Sequence, residues 1–153
     1  MNKTNKIKQL ILNQLHEIID QKIETSKKAI KSAKEARDND TKSSAGDKYE
    51  TGRAMMQIEL EKSEKQLNNS LNLKQDLSLI DIQKEYKRIE FGSLVITNQG
   101  NYFISIGIGK IEVNNENYYA ISLASPIGKL LYNKKINDKF QFQEREFIIR
   151  NIE

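Results

Sequence analysis

The chain has no cysteine and no tryptophan, and a single proline and a single histidine among its 153 residues. Without cysteine there is no disulfide, no thiolate metal site and no thiol nucleophile, so condensing enzymes of the thiolase kind are excluded. The lone histidine, His16, falls inside a helical pattern and reads as a helix-surface residue, which argues against histidine-based catalysis or metal binding. No apolar run reaches the length of a membrane span, and the opening Met1–Lys6 lacks the hydrophobic stretch of a signal peptide. A cytoplasmic protein without a membrane partner is therefore expected. Aromatic residues are scarce at 7 %, hydrophobic residues make up 37 % and charged ones 30 %. That balance suits a long helical hairpin joined to a compact unit better than one ordinary globule. The net charge of +4 leans toward nucleic-acid or acidic-protein partners without choosing between them.

What is present begins with helical periodicity. Ile7, Ile11, Leu15, Ile18, Ala29, Ala33 and Ala36 recur at helical spacing, and Leu12, Ile19, Ile23 and Ile30 add a second register. Neither glycine nor proline occurs before Gly46, and a helix is predicted from Lys6 to Arg37. A second is predicted from Asp47 to about Leu79. Its Tyr49, Met56, Leu60, Ser63, Leu67 and Lys74 step as a coiled-coil seam does, with Leu71 and Leu77 nearby. Between the two lie turn formers: Asp38, Asn39, Asp40, Ser43, Ser44 and Gly46. Helices this polar need a partner, and a short turn makes each arm the partner of the other. An antiparallel hairpin over residues 1–80 follows, with its tip near 38–47 and arms of roughly 45–50 Å.

Charge is unevenly spread along it. Lys22, Lys27, Lys28, Lys31, Lys34 and Arg37 crowd one broad face of the outgoing arm. Lys27, Lys31, Lys34 and Arg37 are the contacts such a face would offer to RNA or to an acidic protein wall; a solvated surface accounts for them as well. The tip carries Asp38, Asp40, Asp47 and Glu50. Ser44-x-x-Asp47 resembles a capping box, and Asp47 and Glu50 suit the positive end of a helix dipole. Asp38 and Asp40 also serve as turn formers. Local structure thus competes with any metal-binding role for these acids, and a coiled-coil adaptor remains an open reading.

After a linker at 81–88 the texture changes. Phe91–Thr97 and Tyr102–Gly109 read as strands around an Asn98–Asn101 turn, and Tyr118–Leu123 as another after Asn114–Asn117. Pro126 opens a short helix, where its missing N–H costs nothing. Phe140–Gln143 and Glu146–Ile152 complete a small unit over 89–153. The fold class is α+β: a coiled-coil helical hairpin followed by a small antiparallel β-sheet domain with a short helix. No catalytic cluster is visible in the second half, so it reads as a docking unit and the chain as no enzyme by itself. Phe91, Tyr102, Phe103, Phe140, Phe142 and Phe147 read as alternating strand core rather than as the aromatic-lined pocket that a prolyl isomerase needs.

Ile121-Ser-Leu-Ala-Ser-Pro-Ile-Gly-Lys-Leu-Leu-Tyr-Asn-Lys-Lys-Ile-Asn-Asp-Lys-Phe140 follows, nearly position by position, the Ser-Pro-(Leu/Ile)-Gly-(Lys/Arg) signature of one family. On these residues, and on Phe91-Gly-Ser at the start of the domain, the chain resembles the Gre family of bacterial transcript-cleavage and elongation factors (GreA/GreB type). The resemblance implies an FKBP-like second domain that docks on RNA polymerase through Ser125, Pro126, Gly128 and Lys129. It implies a hairpin inserted into the polymerase secondary channel, close to the 3′ end of nascent RNA, by a factor expected to be a monomer. No stably bound cofactor is implied, only Mg2+ shared with the polymerase when backtracked RNA is cleaved. The family's catalytic Asp and Glu lie three residues apart, just before a tyrosine. Aligned on Tyr49, those positions hold Lys42 and Ala45, which bind no metal. The Asp-x-x-Glu of this chain, Asp47 to Glu50, straddles the tyrosine. A shifted tip would use Asp47 and Glu50 with help from Asp40; an unshifted one gives a regulator that occupies the channel without cutting.

Overall fold

A computed structural model describes residues 3–40 and 46–153, with side chains over 3–39 and 50–153. Two long helices come first, α1 (Lys3–Asp40) and α2 (Gly46–Ser78). Then follow β1 (Leu94–Thr97), β2 (Asn101–Ile104), β3 (Gly109–Val113), β4 (Glu116–Ile121), α3 (Pro126–Leu131), β5 (Lys139–Phe142) and β6 (Arg145–Ile152). Residues 81–88 form no helix or strand. The chain divides into two compact units, His16–Gln75 and a second made of the stretch up to Leu15 together with Asp76–Glu153.

In the His16–Gln75 unit the register is set by two cross-helix pairs, Lys74 Nζ to Asp20 at 2.7 Å and Arg37 Nη1 to Gln57 at 3.2 Å. Ile19, Ile23, Ser26 and Ala33 of α1 and Leu60, Ser63 and Ser70 of α2 are buried. Ile30, Met56 and Leu67 are half-buried. These positions alternate by three and four, the spacing of a coiled-coil seam. In this register a long side chain stands across from a small one: Ile23 by Ser70, Leu67 by Ser26, Ile30 by Ser63, Leu60 by Ala33. Small residues across from large ones keep the two helices close. The seam follows the second periodic register of α1 through Ile19, Ile23 and Ile30 and takes Ala33 from the first, while Ala29 is exposed and Ile18 and Ala36 are half-buried. On α2 the seam position near the open end is Ser70, and Lys74 is exposed. The Tyr49 side chain and the proposed cap at Ser44 lie outside the described residues.

The other unit carries one six-stranded sheet in the order β3-β4-β2-β1-β6-β5. All neighbours run antiparallel except β2 and β4, which are parallel. The sheet is therefore mixed, not wholly antiparallel as the sequence suggested. The cause lies in Ser105–Gly109, expected to continue one strand. There Ile108 N–H turns back to the Ile106 carbonyl at 3.0 Å, and Gly109 takes a φ of +101°, a conformation that glycine accepts without strain. The strand ends at Ile104, and the hairpin β3–β4 returns β4 alongside β2 in the same direction.

Two tight turns close the hairpins. Asn114 and Asn115, with φ of 53° and 65°, join β3 to β4; asparagine tolerates this left-handed geometry well. Gln143 and Glu144, with φ of 50° and 64°, do the same between β5 and β6 with residues that tolerate it poorly. On the face of the sheet that α3 covers, Ile89, Val95, Ile104, Leu131, Ile149 and Ile152 form a buried cluster. On the opposite face Leu94 and Phe103 pair across β1 and β2 and are fully buried.

Candidate functional site

The short helix α3 owes its position to the signature residues. Ser125 Oγ accepts a hydrogen bond from Gly128 N at 3.0 Å and donates one to the Ser122 carbonyl at 2.7 Å. This caps the helix, and Pro126 takes the first helical position. A Cβ at Gly128 would lie 2.1 Å from the Ser122 carbonyl oxygen, a distance no side chain can occupy. Ser125 and Gly128 therefore build the turn. Gly128 is buried, whereas Pro126 and Lys129 are exposed and are what a partner would meet. Leu130 and Tyr132 are exposed too, at 36 % and 55 %. Beside them, Tyr132 joins Leu79, Phe91 and Leu123 in lining a shallow cleft of about 410 Å³.

On the hairpin, Lys27, Lys31 and Lys34 are exposed and lie one step around α1 from the seam residues Ser26, Ile30 and Ala33. Arg37 differs from them. It is half-buried, bonded to Gln57 across the seam and 3.5 Å from the Asp38 carboxylate. Asp40 ends α1, and Asp47 lies in the first turn of α2, but the side chains of both are outside the described residues, as are Lys42 and Ala45. Glu50 is exposed on α2, one turn beyond Asp47. Among the described residues no group of three His, Cys, Asp or Glu side chains is placed to hold a metal. No described helix is long and apolar enough to cross a membrane.

No family model matches the chain, and no curated protein matches it. Among solved structures it is similar to that of the transcription factor Gfh1. The identity is 19 %, over 89 % of this chain and 91 % of that one, with a TM-score of 0.35. At that identity and score the likeness decides nothing about function.

Two features escaped the sequence reading. One is Lys8, on the buried line of α1 and itself fully buried. Its Nζ donates to the Glu153 carbonyl at 3.1 Å and sits 4.9 Å from the centroid of the Tyr86 ring. Burial lowers its pKa from 10.5 to about 8, against the pull of the Glu153 and Asp81 charges. The available signal was its spacing, four residues before Leu12 and seven before Leu15. Tyr86 also has Lys84 5.3 Å from its ring centroid, and its hydroxyl lies 2.5 Å from where a Cβ on Gly92 would be. The second feature concerns the aromatic residues. Phe103 is core as expected, but Tyr102, Phe140, Phe142 and Phe147 cluster with Tyr119, and of these five only Phe147 is buried.

Proposed function

We propose that the chain is a transcription elongation regulator of the GreA/GreB kind. It docks on RNA polymerase through the exposed side of the α3 turn and extends its hairpin tip into the secondary channel. The observation that carries this reading is the construction of the hairpin. In the described residues of the His16–Gln75 unit each helix has one buried line, filled by long residues facing serine or alanine, so the pair is slim. The part of α1 in that unit, 16–40, is roughly 37 Å long at 1.5 Å per residue. A coiled-coil adaptor that joins further helices needs a second apolar line. The exposed apolar residues Met55, Ile58 and Leu71 of α2 do not make one, because Lys62 and Lys65 occupy the next places after Ile58.

At the tip, the exposed Glu50 carboxylate, one helical turn from Asp47, is the oxygen-donor type that magnesium prefers. Asp47 and Glu50, with Asp40, would hold such an ion together with the polymerase, and the ion would supply an activated water for hydrolysis of RNA. Lys27, Lys31 and Lys34 would face the RNA or the channel wall. The non-cleaving form of the same reading keeps the docking and the insertion and omits the ion.

The test is a backtracked elongation complex with the cognate polymerase, magnesium and 3′-labelled RNA. Release of short 3′ fragments that disappears in Asp47→Ala or Glu50→Ala assigns cleavage to the shifted acid pair. Displacement of a second channel-binding factor without cleavage assigns the non-cleaving form. Neither effect returns the hairpin to an adaptor.

A further inference from the structure

On the sheet face where Leu131 packs, four strands bring five aromatic rings into one row. Tyr119 of β4 stacks on Tyr102 of β2 with ring centroids 5.5 Å apart. Tyr102 lies 6.3 Å from Phe147 of β6, and Phe147 stacks on Phe140 of β5 at 4.9 Å. Phe142 meets Phe147 edge-on at 6.3 Å. Phe147 anchors the row in the core, while Tyr102, Tyr119, Phe140 and Phe142 remain half-buried. Tyr102 and Phe140 pack partly against the core cluster and keep the rest of their surface open, unlike Phe103.

Three cations lie along the row. Lys110 of β3 stands opposite Tyr119, and Arg145 stands opposite Phe142. The Nζ of Lys134 lies 5.5 Å from the centroid of Phe140. Arg145 is near enough to Tyr102 to oppose the upward shift that burial and Tyr119 give its phenol. On β2, β4, β5 and β6 the alternation of side chains puts no carboxylate on this face. Glu112 of edge strand β3 shares this face, opposite Asn117 and two residues from Lys110.

We propose that this row is a binding site for single-stranded RNA. Bases stack on Tyr119, Tyr102 and Phe142, and phosphates meet Lys110, Arg145 and Lys134. Aromatic rings on a sheet accept any base through its π-face, and the cations follow the backbone. The hydroxyls of Tyr102 and Tyr119 and the exposed amide of Asn117 supply the donors and acceptors with which a 2′-hydroxyl is recognised. A proline-rich peptide also suits an aromatic surface, but its backbone carries no charge to match three cations. The site is separate from the lysine face of the hairpin and does not depend on the role proposed for the tip.

Fluorescence anisotropy of the full chain with a labelled single-stranded RNA of about 12 nucleotides, titrated with salt, tests this. Tyr119→Ala is expected to weaken binding by roughly fivefold or more, and Tyr119→Phe to keep the stacking and narrow the preference for RNA over DNA. Arg145→Gln, at an exposed position that leaves the fold intact, is expected to lower the salt slope by about 0.7. With Lys27, Lys31 and Lys34 together replaced by Gln, which removes any RNA contact of the hairpin, Tyr119→Ala is expected still to weaken the remaining binding by roughly fivefold or more. Absence of RNA binding at low salt overturns the proposal, as does loss only in the hairpin variant. Affinity unchanged by both Tyr119→Ala and Arg145→Gln overturns it too. Equal affinity for DNA of the same sequence overturns the assignment to RNA, and a proline-rich peptide that displaces the RNA from the rings reassigns the row to peptide.

Discussion

Lys8→Met should make the protein more stable at neutral pH, although it removes a hydrogen bond and a cation–π contact. Lys8 is fully buried, and its pKa falls from 10.5 to about 8. Holding the charge inside therefore costs more than the Glu153 and Asp81 charges return. At roughly 1.4 kcal/mol per unit the net penalty is about 3.5 kcal/mol at most. Screening by solvent and loss of the hydrogen bond and the cation–π contact bring the expected gain nearer to about 1–2 kcal/mol. Methionine keeps most of the stem volume, and its flexible thioether packs against an aromatic ring. The Glu153 carbonyl is not orphaned by the change, because Leu94 N still donates to it at 2.7 Å.

The pH dependence carries a definite sign. The folded pKa lies below the unfolded one, so between about pH 8 and 10.5 the unfolded chain binds more protons. The Lys8 contribution to stability is flat below pH 8 and rises through that window. Wild type should therefore approach the stability of Lys8→Met as the pH increases from 7 to 9.5. Tyr86, Tyr102 and Tyr118 have raised pKa values, first through burial, and act in the opposite direction above pH 10. Comparing the two proteins cancels their effect. Urea melts followed by tyrosine fluorescence provide the assay, since five of the six tyrosines lie in the unit that contains Lys8. A Lys8→Met protein less stable than wild type by 1 kcal/mol or more at pH 7, with no convergence, would falsify the reasoning.

Three further outcomes follow from local geometry. Replacing Gln143-Glu144 by Asn-Gly, which accepts the left-handed turn, should stabilise the β-unit by about 1–2 kcal/mol, read as a rise in melting temperature. Gly128→Ala drives a Cβ into the Ser122 carbonyl and should cost more than about 2 kcal/mol; Ser125→Ala, which removes only the cap, should cost about 1 kcal/mol, and urea melts rank the pair. Ser70→Leu widens the slim seam opposite Ile23 and should destabilise the hairpin by about 1–3 kcal/mol, with earlier loss of helical circular dichroism.

Much of the fold was legible because its signals are periodic. The two long helices, the strand-rich second half and the proline-started α3 all follow from spacing and turn residues in one sequence. The seam was legible only in part, since serine carries no hydrophobic signal. Ser26 and Ser70 became seam residues through the partner opposite them, which periodicity along one helix does not show. The parallel pairing of β2 with β4 was hidden for a related reason. A run such as Ser105-Ile-Gly-Ile-Gly109 scores as strand residue by residue, yet its glycines permit the turn that separates β2 from β3.

The sites divide along the same line. The Ser-Pro-Ile-Gly-Lys signature was legible as a motif, and the structure supplies its local cause: a serine cap, a proline start and a glycine with no room for a Cβ. Those causes explain why the turn has its shape, and they leave Pro126, Lys129, Leu130 and Tyr132 as the part available to a partner. A docking role should thus be tested on the exposed residues. Lys129→Glu should impair polymerase binding without loss of stability, whereas Gly128→Ala alters both and separates nothing. The aromatic row was not legible as a surface, because alternation in a strand assigns a ring to a face but not to a cover. Tyr119 and Phe103 occupy adjacent strands with similar sequence surroundings. Phe103 is fully buried and Tyr119 half-buried, and the two lie on opposite faces of the sheet.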